Sequence, residues 1–245
     1  MTAGWRQVTS DKETDLYALT LVGGRGERLR PITDTVPKSM VPLNGRPIVE
    51  YQVRWMQSQG VTDVVFLTGY LGEVVREHFA DGSAFGINAH YSHEDSPLGR
   101  GGAIRKGMAM VPKAEETVLA TNGDNVTDLD LNLLKNRHAS TGALATLMLT
   151  RYPSQFGVVE VGDGDLVDRF VEKGMLPIWI NAGVYLFDRT IETMLPETGD
   201  HETSTFPELM KQRKLAALRS NAQWITVDGP KELREASELL ANWKP

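Results

Sequence analysis

Basic side chains that follow a glycine-rich turn are the first residues of this sequence that could do chemistry. Gly23, Gly24 and Gly26 come after an apolar run, and Arg28 and Lys38 lie shortly beyond them. Glycines at the end of a strand leave backbone N–H groups open to phosphate oxygens, because no Cβ atom blocks the approach. Arginine adds paired donors and lysine adds a movable charge. The stretch therefore predicts a phosphate-binding loop.

Two well-known phosphate loops do not fit this stretch. The dinucleotide fingerprint requires a third glycine at the position of Leu29. The P-loop pattern, G-x-x-x-x-G-K-S/T, occurs nowhere in the chain. A dinucleotide-binding oxidoreductase is therefore disfavoured as an interpretation.

A carboxylate at the end of a second apolar run is the next chemical candidate. Asp124 follows residues 118–122, which are predicted to form a strand. An acidic residue just past a buried strand is costly to place without a partner, and Mg²⁺ is a natural one because it combines carboxylates with substrate phosphates. A turn aspartate that caps local N–H groups is the alternative. The sequence thus predicts a Mg²⁺ ligand at Asp124.

The elements that must position these residues alternate along the chain. Strands are predicted over residues 16–22, 61–68 and 118–122, with helices over 70–79 and 103–110. This alternation predicts a mainly parallel sheet with right-handed crossovers and flanking helices. Such sheets bind ligands beyond the carboxyl ends of their strands, which is where the glycine turn falls.

Composition limits the class of protein. The chain has 245 residues, of which 41% are hydrophobic, and this suits one domain with a sizeable core. The net charge of −6 argues against nucleic acid as a partner. The absence of cysteine excludes disulfides and thiolate chemistry. No apolar run reaches the roughly 18 residues of a membrane span. Residues 1–15 are polar and are interpreted as a short extension rather than a signal peptide, so we expect a cytoplasmic protein.

Two adjacent motifs carry a family resemblance. Residues 23–31 (GGRGERLRP) and 37–42 (PKSMVP) together resemble the signature of the sugar-phosphate nucleotidylyltransferases, also called nucleotide-sugar pyrophosphorylases. Other segments match in chain order, so the resemblance covers nearly all of residues 16–240. Val22 stands where the family mostly has alanine, and Ser39 stands where it mostly has proline. Neither difference removes a functional group.

The resemblance implies a fold, an activity and a set of residues. The fold is α/β, a single Rossmann-like domain with a mixed, mainly parallel sheet flanked by helices. The activity is transfer of a nucleotidyl group from a nucleoside triphosphate to a sugar 1-phosphate with Mg²⁺, which releases pyrophosphate. The implied catalytic residues are Arg28, Lys38 and Asp124. The implied nucleotide-binding residues are Leu21, Gly23, Gly24, Gly26, Arg28, Glu94, Gly99 and Asp124.

The base and the sugar are less constrained. In the family, the loop at residues 94–102 lies against the base, and a carboxylate at Glu94 could accept two bonds from guanine, which favours GTP. Residues 97–104 (PLGRGGAI) look most like heptose-phosphate guanylyltransferases, although Arg100 replaces the usual threonine. A uridylyltransferase or thymidylyltransferase acting on an amino-sugar or hexose 1-phosphate is the alternative. A non-catalytic regulatory subunit that binds nucleotide sugars is the alternative from another class.

The second half of the chain resembles the sugar-phosphate side of the family. The nucleotide-binding part is expected over about residues 16–140 and the sugar-phosphate part over about 141–245. The residues implied to bind the sugar phosphate are Gly157, Glu172, Lys173, Asn181 and Gly183. Residues 196–213, which include Glu202, are predicted to form a loop and a short helix whose role the sequence does not reveal.

The family's second metal-binding aspartate falls near the C-terminus, where two positions compete. Many sugar enzymes would place it at Thr226, and related enzymes with a V-D-x-P pattern would place it at Asp228. Threonine is a poor Mg²⁺ ligand, so the prediction is Asp228. The resemblance is also compatible with a homo-oligomer.

Overall fold

The computed structural model describes residues 16–154, 156–241 and 243, so the extension expected at residues 1–15 lies outside the described residues. The strands are β1 (Leu16–Leu21), β2 (Pro42–Leu43), β3 (Arg46–Pro47), β4 (Val61–Thr68), β5 (Asn88–His93), β6 (Thr117–Asn122), β7 (Asn125–Thr127), β8 (Ala145–Pro153), β9 (Val158–Val161), β10 (Val167–Val171), β11 (Met175–Asp188), β12 (Leu215–Arg219) and β13 (Trp224–Thr226). The α-helices are α1 (Ile48–Ser58), α2 (Gly72–Phe79), α3 (Gly99–Met108), α4 (Leu131–Thr141), α5 (Thr205–Lys211) and α6 (Pro230–Leu239).

Seven strands form the main sheet, in the order β12-β8-β11-β6-β1-β4-β5. Neighbouring strands are parallel except at β11, which pairs antiparallel with both β6 and β8. The predicted mixed, mainly parallel sheet is therefore confirmed. One long antiparallel strand, β11, joins the strands from the first half of the chain to β8 and β12 from the second half.

Helices cover both faces of this sheet. On one face, Val53 and Met56 of α1 and Phe79 of α2 belong to the same buried cluster as Phe66 of β4. On the other face, Ile104 and Met108 of α3 pack with Phe206 of α5 against β1, β4 and β6. Strands buried on both sides read as continuous apolar runs, which is why β4 (VTDVVFLT) is recognisable in the sequence.

Some element boundaries differ from the sequence-based prediction, and the difference at α3 matters for the site. The helix was expected to begin at residue 103, but it begins at Gly99 within a glycine-rich stretch. The N–H group of Gly101 donates to the carbonyl of Gly199 at 2.9 Å, a bond from a distant segment that supports the early turn. Tertiary contact overrides the low helix propensity of glycine here.

A small two-stranded sheet brings the end of the chain back to the glycine turn. β13 pairs antiparallel with β7, so that Thr226 faces Asn125. Because Asn125 directly follows Asp124, this pairing sets residues just after β13 beside the end of β6. Among the described residues, no helix combines the length and apolar character that crossing a bilayer requires.

Candidate active site

A cavity of about 360 Å³ opens at the carboxyl edge of the main sheet beside β1. β1 lies between β6 and β4, so the strand order changes direction there, and open α/β sheets bind ligands at such a switch point. Gly26 and Arg28 are not among the described residues that line it. The residues predicted from the sequence that do line it are Leu21, Gly23, Gly24, Lys38, Glu94, Gly99 and Asp124.

The glycine loop folds against the segment that carries Lys38. The backbone N–H of Lys38 donates to the carbonyl of Gly24 at 3.0 Å. Gly26 has a φ of 60°, and a Cβ atom at this position would lie 2.9 Å from Cβ of Lys38. A left-handed backbone and so close an approach both favour glycine. The glycine thus fixes the point from which the lysine side chain leaves the loop.

Lys38 joins two carboxylates from distant parts of the chain. Its Nζ donates to Oδ2 of Asp124 at 2.6 Å and to Oδ1 of Asp228 at 2.5 Å. Burial by itself would lower the pKa of Lys38, but the charges of the two aspartates and the hydrogen bonds to them raise it above the ordinary 10.5. The side chain is therefore a fixed positive charge at neutral pH. It can bind phosphate, and it cannot serve as a base.

Arg28 extends this cluster toward solvent. Its Nη2 lies 3.4 Å from Oδ1 of Asp228, and its side chain is 75% exposed. An ion pair this exposed contributes little to stability. The guanidinium can therefore exchange Asp228 for a ligand phosphate at small cost.

The two aspartates have the donor chemistry of a Mg²⁺ site. Mg²⁺ usually takes one or two protein carboxylates and completes its shell with water and substrate phosphates. Asp124 and Asp228 already direct their oxygens at one cation, the ammonium of Lys38. Within the part of the chain that the structure describes, no group of three His, Asp or Glu side chains converges. The pair fits a Mg²⁺ ion whose remaining ligands would come from phosphate and water.

The structure also separates the two positions that compete for the second aspartate. Asp228 lies two residues past the end of β13 and reaches Lys38. Thr226 lines a different cavity. The chain therefore brings Asp228 to Lys38, and its role as a metal ligand stays a prediction.

The loop expected to face the base lines the same cavity. Oε2 of Glu94 accepts the backbone N–H of Leu98 at 2.9 Å, which holds the carboxylate in place. Gly99 has a φ of 74°, and a Cβ atom there would lie 2.6 Å from the carbonyl oxygen of Gly199. The resemblance implies that Gly99 binds the nucleotide. In the structure, protein backbone takes the space that a Cβ would fill.

The residues predicted to bind the sugar phosphate do not line this cavity; they are Gly157, Glu172, Lys173, Asn181 and Gly183. Lys173 lines a second cavity of about 220 Å³, whose walls also include Arg151 and Lys231. The structure thus gathers most of the predicted nucleotide residues around one cavity, whereas Lys173 lines the other. The role of the sugar residues stays a prediction.

The two glycines of this second group have close protein neighbours. A Cβ atom on Gly157 would lie 2.4 Å from the ring of Phe170. A Cβ atom on Gly183 would lie 2.4 Å from the amide nitrogen of Asn122 and 2.6 Å from that of Asn125. The resemblance implies that a sugar approaches the chain here, but side chains of the protein occupy that side of both glycines.

The sequence did not predict that Arg100, at the cavity wall, holds a cluster of ion pairs together. Arg100 donates from Nε to Asp200 at 2.8 Å and from Nη1 and Nη2 to Glu202 at 2.9 Å each. Burial alone would lower the pKa of Arg100, but the bonds to these carboxylates raise it. No local pattern links residues about a hundred positions apart. The replacement of the usual threonine by Arg100 is the one signal that marked the position.

Comparison with known proteins places these observations in a family. The family model described as nucleotidyl transferase matches residues 17–242. A mannose-1-phosphate guanyltransferase of Kluyveromyces lactis is 32% identical over 93% of the chain and 65% of its own length. The protein of the same description from Gibberella zeae is 34% identical over 89% of the chain and 62% of its own length. The chain thus spans somewhat less than two thirds of these relatives.

Solved structures share the fold. HddC from Yersinia pseudotuberculosis has a TM-score of 0.71 at 22% identity, over 91% of this chain and 98% of that one. The structure of that protein complexed with GMP-PN has a TM-score of 0.70. A putative glucose-1-phosphate thymidylyltransferase from Bacillus anthracis reaches 0.74 at 21% identity, over 94% of this chain and 97% of that one.

The family model and the relatives cover the same motifs that carry the resemblance in the sequence, from the glycine turn to the last strand. The fold agrees with that of solved nucleotide-sugar transferases. This chain belongs to the nucleotidyl transferase family.

Proposed function

We propose that the chain transfers a guanylyl group from GTP to a sugar 1-phosphate and releases pyrophosphate. The observation that carries the proposal is the ammonium of Lys38, held between Asp124 and Asp228 next to the glycine loop. A cation and the backbone N–H groups of the glycine loop at the edge of one cavity suit a triphosphate, and the two carboxylates suit the Mg²⁺ that accompanies it. The relatives named as mannose-1-phosphate guanyltransferases support this reading.

The proposed reaction needs no covalent enzyme intermediate. An oxygen of the sugar phosphate forms a bond to the α-phosphorus of the triphosphate. The bond from that phosphorus to the oxygen bridging to the β-phosphate breaks, and its electron pair leaves with pyrophosphate. One anion attacks another, so catalysis rests on positioning and on neutralising charge.

The residues of the cavity divide this work. The backbone N–H groups near Gly23 and Gly24 bind the phosphates, and Arg28 closes on them from the solvent side. Lys38, kept protonated by its two aspartates, supplies positive charge to the transferred phosphoryl group. Because its contact with Gly24 fixes its backbone, the ammonium moves only within the reach of its own side chain.

Asp124 and Asp228 are the residues that would hold Mg²⁺. When bound, the metal neutralises phosphate oxygens and orients the triphosphate. The same two carboxylates keep Lys38 charged and close to the cavity. The two carboxylates would therefore both hold the metal and keep Lys38 protonated.

We assign the proposed preference for guanine to Glu94. Guanine presents two adjacent donors, N1–H and the exocyclic N2–H, and a carboxylate can accept both. Uracil and thymine present a single N3–H. Because Leu98 already holds Oε2 of Glu94 in place, the carboxylate is preorganised for such a contact.

The test is pyrophosphate release with Mg²⁺. GTP, UTP, dTTP, CTP and ATP are each combined with hexose and heptose 1-phosphates, with mannose 1-phosphate first among them. We expect release with GTP that depends on a sugar phosphate. Release with UTP or dTTP instead would overturn the choice of base. Triphosphate binding without release under any combination would indicate a regulatory binding protein.

A further inference from the structure

We infer that Glu202 is a positioning residue that ties the nucleotide loop to the sugar strand, so that the two half-sites keep one relative arrangement. The nucleotide loop is defined here as residues 97–102, and the return segment as residues 196–202, which precede α5. The inference rests on the proposed function, because it concerns how that reaction's two substrates are held together.

The return segment lies directly on the nucleotide loop. The N–H of Gly199 donates to the carbonyl of Leu98 at 2.7 Å, and the N–H of Gly101 donates back to the carbonyl of Gly199 at 2.9 Å. A Cβ atom on Gly102 would lie 2.5 Å from the carbonyl oxygen of Glu197. The glycines of the loop thus serve a backbone-to-backbone contact, and any shift of one segment moves the other.

Arg100 adds a side-chain connection to this contact. Its guanidinium binds Asp200 through Nε and Nη2, and it binds Glu202 through Nη1 and Nη2. Four charge-assisted bonds in the fork geometry of an arginine fix both carboxylates relative to the loop. Arg100 also lines the nucleotide cavity, so the carboxylate of Glu202 stands directly behind the cavity wall.

The other side of Glu202 faces the sugar strand. Its Oε1 accepts Oη of Tyr185 at 2.8 Å and Nδ2 of Asn181 at 2.9 Å, in addition to Arg100. Both bonding partners on this side belong to β11. One carboxylate therefore contacts a residue at the nucleotide cavity and a residue implied to bind the sugar.

These bonds decide what Asn181 can offer a ligand. Its two Nδ2 hydrogens go to Tyr185 and Glu202, and its Oδ1 accepts the N–H of Gly183 at 3.1 Å. One lone pair on Oδ1 is all that remains, because an amide has two donors and two acceptor sites. Asn181 is thereby set to accept a hydrogen bond from a sugar hydroxyl. Without Glu202 the amide could turn over and present a donor instead.

The experiment compares substitutions of Glu202 with a matched control. Glu202→Gln and Glu202→Ala are purified and their folding is checked by circular dichroism and thermal unfolding. We expect the KM for the sugar 1-phosphate and the KM for GTP each to rise about fivefold to tenfold, while kcat at saturation falls less than threefold. Glu197→Gln is the control, since its exposed carboxylate lies in the same return segment and pairs with Arg105 at 3.7 Å.

A second variant keeps the inference falsifiable if both Glu202 variants fail to fold. Arg100→Thr removes the connection from the nucleotide side, and we expect it to raise the KM for the sugar 1-phosphate at least threefold although Arg100 lies on the nucleotide cavity. An unchanged KM for the sugar in Arg100→Thr would overturn the inference. So would a Glu202 variant in which kcat falls and both KM values hold, because that result describes a merely structural loss.

The wild-type protein separates this inference from the proposed function. Release of pyrophosphate by the wild type with GTP and a sugar 1-phosphate supports the proposed function whatever the variants do. Active wild type with unaffected variants overturns only the role of Glu202. Wild type that releases no pyrophosphate with any pair overturns the proposed function, and the inference with it.

Discussion

Two ion clusters in this molecule have the same composition, one basic side chain between two carboxylates, but they differ in their surroundings. Lys38 bonds Asp124 and Asp228 through one point charge. In the part of the chain that the structure describes, the Asp124 carboxylate has no other side-chain partner, and that of Asp228 adds only an ion pair with Arg28 at 3.4 Å. Arg100 bonds its two carboxylates through a rigid fork, and Glu202 accepts further bonds from Asn181 and Tyr185.

The difference separates a cluster that can exchange partners from one that cannot. The aspartates beside Lys38 keep lone pairs for another cation, and the ammonium can leave them for a phosphate. The carboxylates beside Arg100 have most of their acceptor sites filled, so any movement leaves charged groups without partners. The Lys38 arrangement suits a catalytic site, and the Arg100 arrangement suits a rigid contact that holds neighbouring segments in place. Each prediction below tests one side of this contrast.

The largest expected effect concerns His201, which lies between Asp200 and Glu202 in the sequence. Its ring is fully buried against Tyr185 and Phe206. Among the described residues neither ring nitrogen has a hydrogen-bond partner, and Nδ1 lies 3.6 Å from Oδ1 of Asp200. Burial lowers the pKa of His201 from 6.5 to about 4. The unfolded chain then binds more protons between these values, so stability falls as pH drops from 6.5 toward 4, by up to about 3 kcal/mol.

His201→Phe should remove most of this pH dependence, because phenylalanine keeps an aromatic ring in the same pocket and takes up no proton. The measurement is urea unfolding of wild type and variant at several pH values across the window. His93→Phe, which changes an exposed histidine, is the control. A variant that loses as much stability as the wild type between those pH values would contradict the role of His201.

In the Lys38 cluster, Asp124→Asn should cost the most activity. We expect kcat to fall roughly a hundredfold, about 2.7 kcal/mol of barrier, because a neutral amide is a poor Mg²⁺ ligand and leaves Lys38 with one aspartate. The measurement is kcat as a function of Mg²⁺ concentration, which should require more metal in the variant. Asp34→Asn is the control, since its exposed carboxylate pairs with Arg30 near the same loop. Identical metal dependence in Asp124→Asn and wild type would remove Asp124 from the metal site.

Lys38→Ala should lower turnover at least tenfold, about 1.4 kcal/mol of barrier. The substitution also leaves Asp124 and Asp228 facing each other without a shared cation, so Mg²⁺ should raise the Tm of the variant more than that of the wild type. Turnover and Tm with and without Mg²⁺ are the measurements, and Lys113→Ala at an exposed lysine is the control. Unchanged turnover in the folded variant would rule out this role.

The fold was more accessible from the sequence than the site. Apolar runs such as β4 and the alternation of strands and helices predicted the parallel sheet, because residues close in sequence decide both. The early start of α3 was missed because the bond from Gly101 to Gly199 depends on a segment far along the chain. Boundaries that rest on tertiary contact have no local signature.

The same distinction between local sequence signals and tertiary contacts applies to the site. Lys38 and Asp124 were recognisable from their motifs, and the structure brings them together. Gly99, Gly157 and Gly183 were also recognisable, and protein atoms fill the space that a Cβ would take at each of them. Their roles in ligand binding stay predictions. Glu202 had no motif that linked it to Arg100 or Asn181. A sequence identifies residue types that suit a ligand, whereas a bond between distant side chains appears only in three dimensions.

The smallest expected effect tests whether surroundings, rather than distance, set the value of an ion pair. Arg169 bonds Glu160 at 2.9 Å, the same distance as Nη1 of Arg100 to Glu202. The Arg169 pair is 63% and 60% exposed and lies on the hairpin of β9 and β10. Arg169→Ala should therefore cost less than about 1 kcal/mol, and the loss should shrink further at high salt.

Arg100→Ala should cost about 2 kcal/mol, because it removes four charge-assisted hydrogen bonds from two partly buried carboxylates. Urea unfolding of the two variants side by side, at low and high salt, measures both values. Equal losses would mean that burial does not distinguish these pairs. The Arg100 cluster would then be an ordinary surface contact, and the contrast with Lys38 would rest only on the chemistry of the cavity. Unequal losses that persist at high salt would show that the Arg100 cluster stabilises the fold through its partly buried bonds, as expected of a rigid support beside the exchangeable Lys38 cluster.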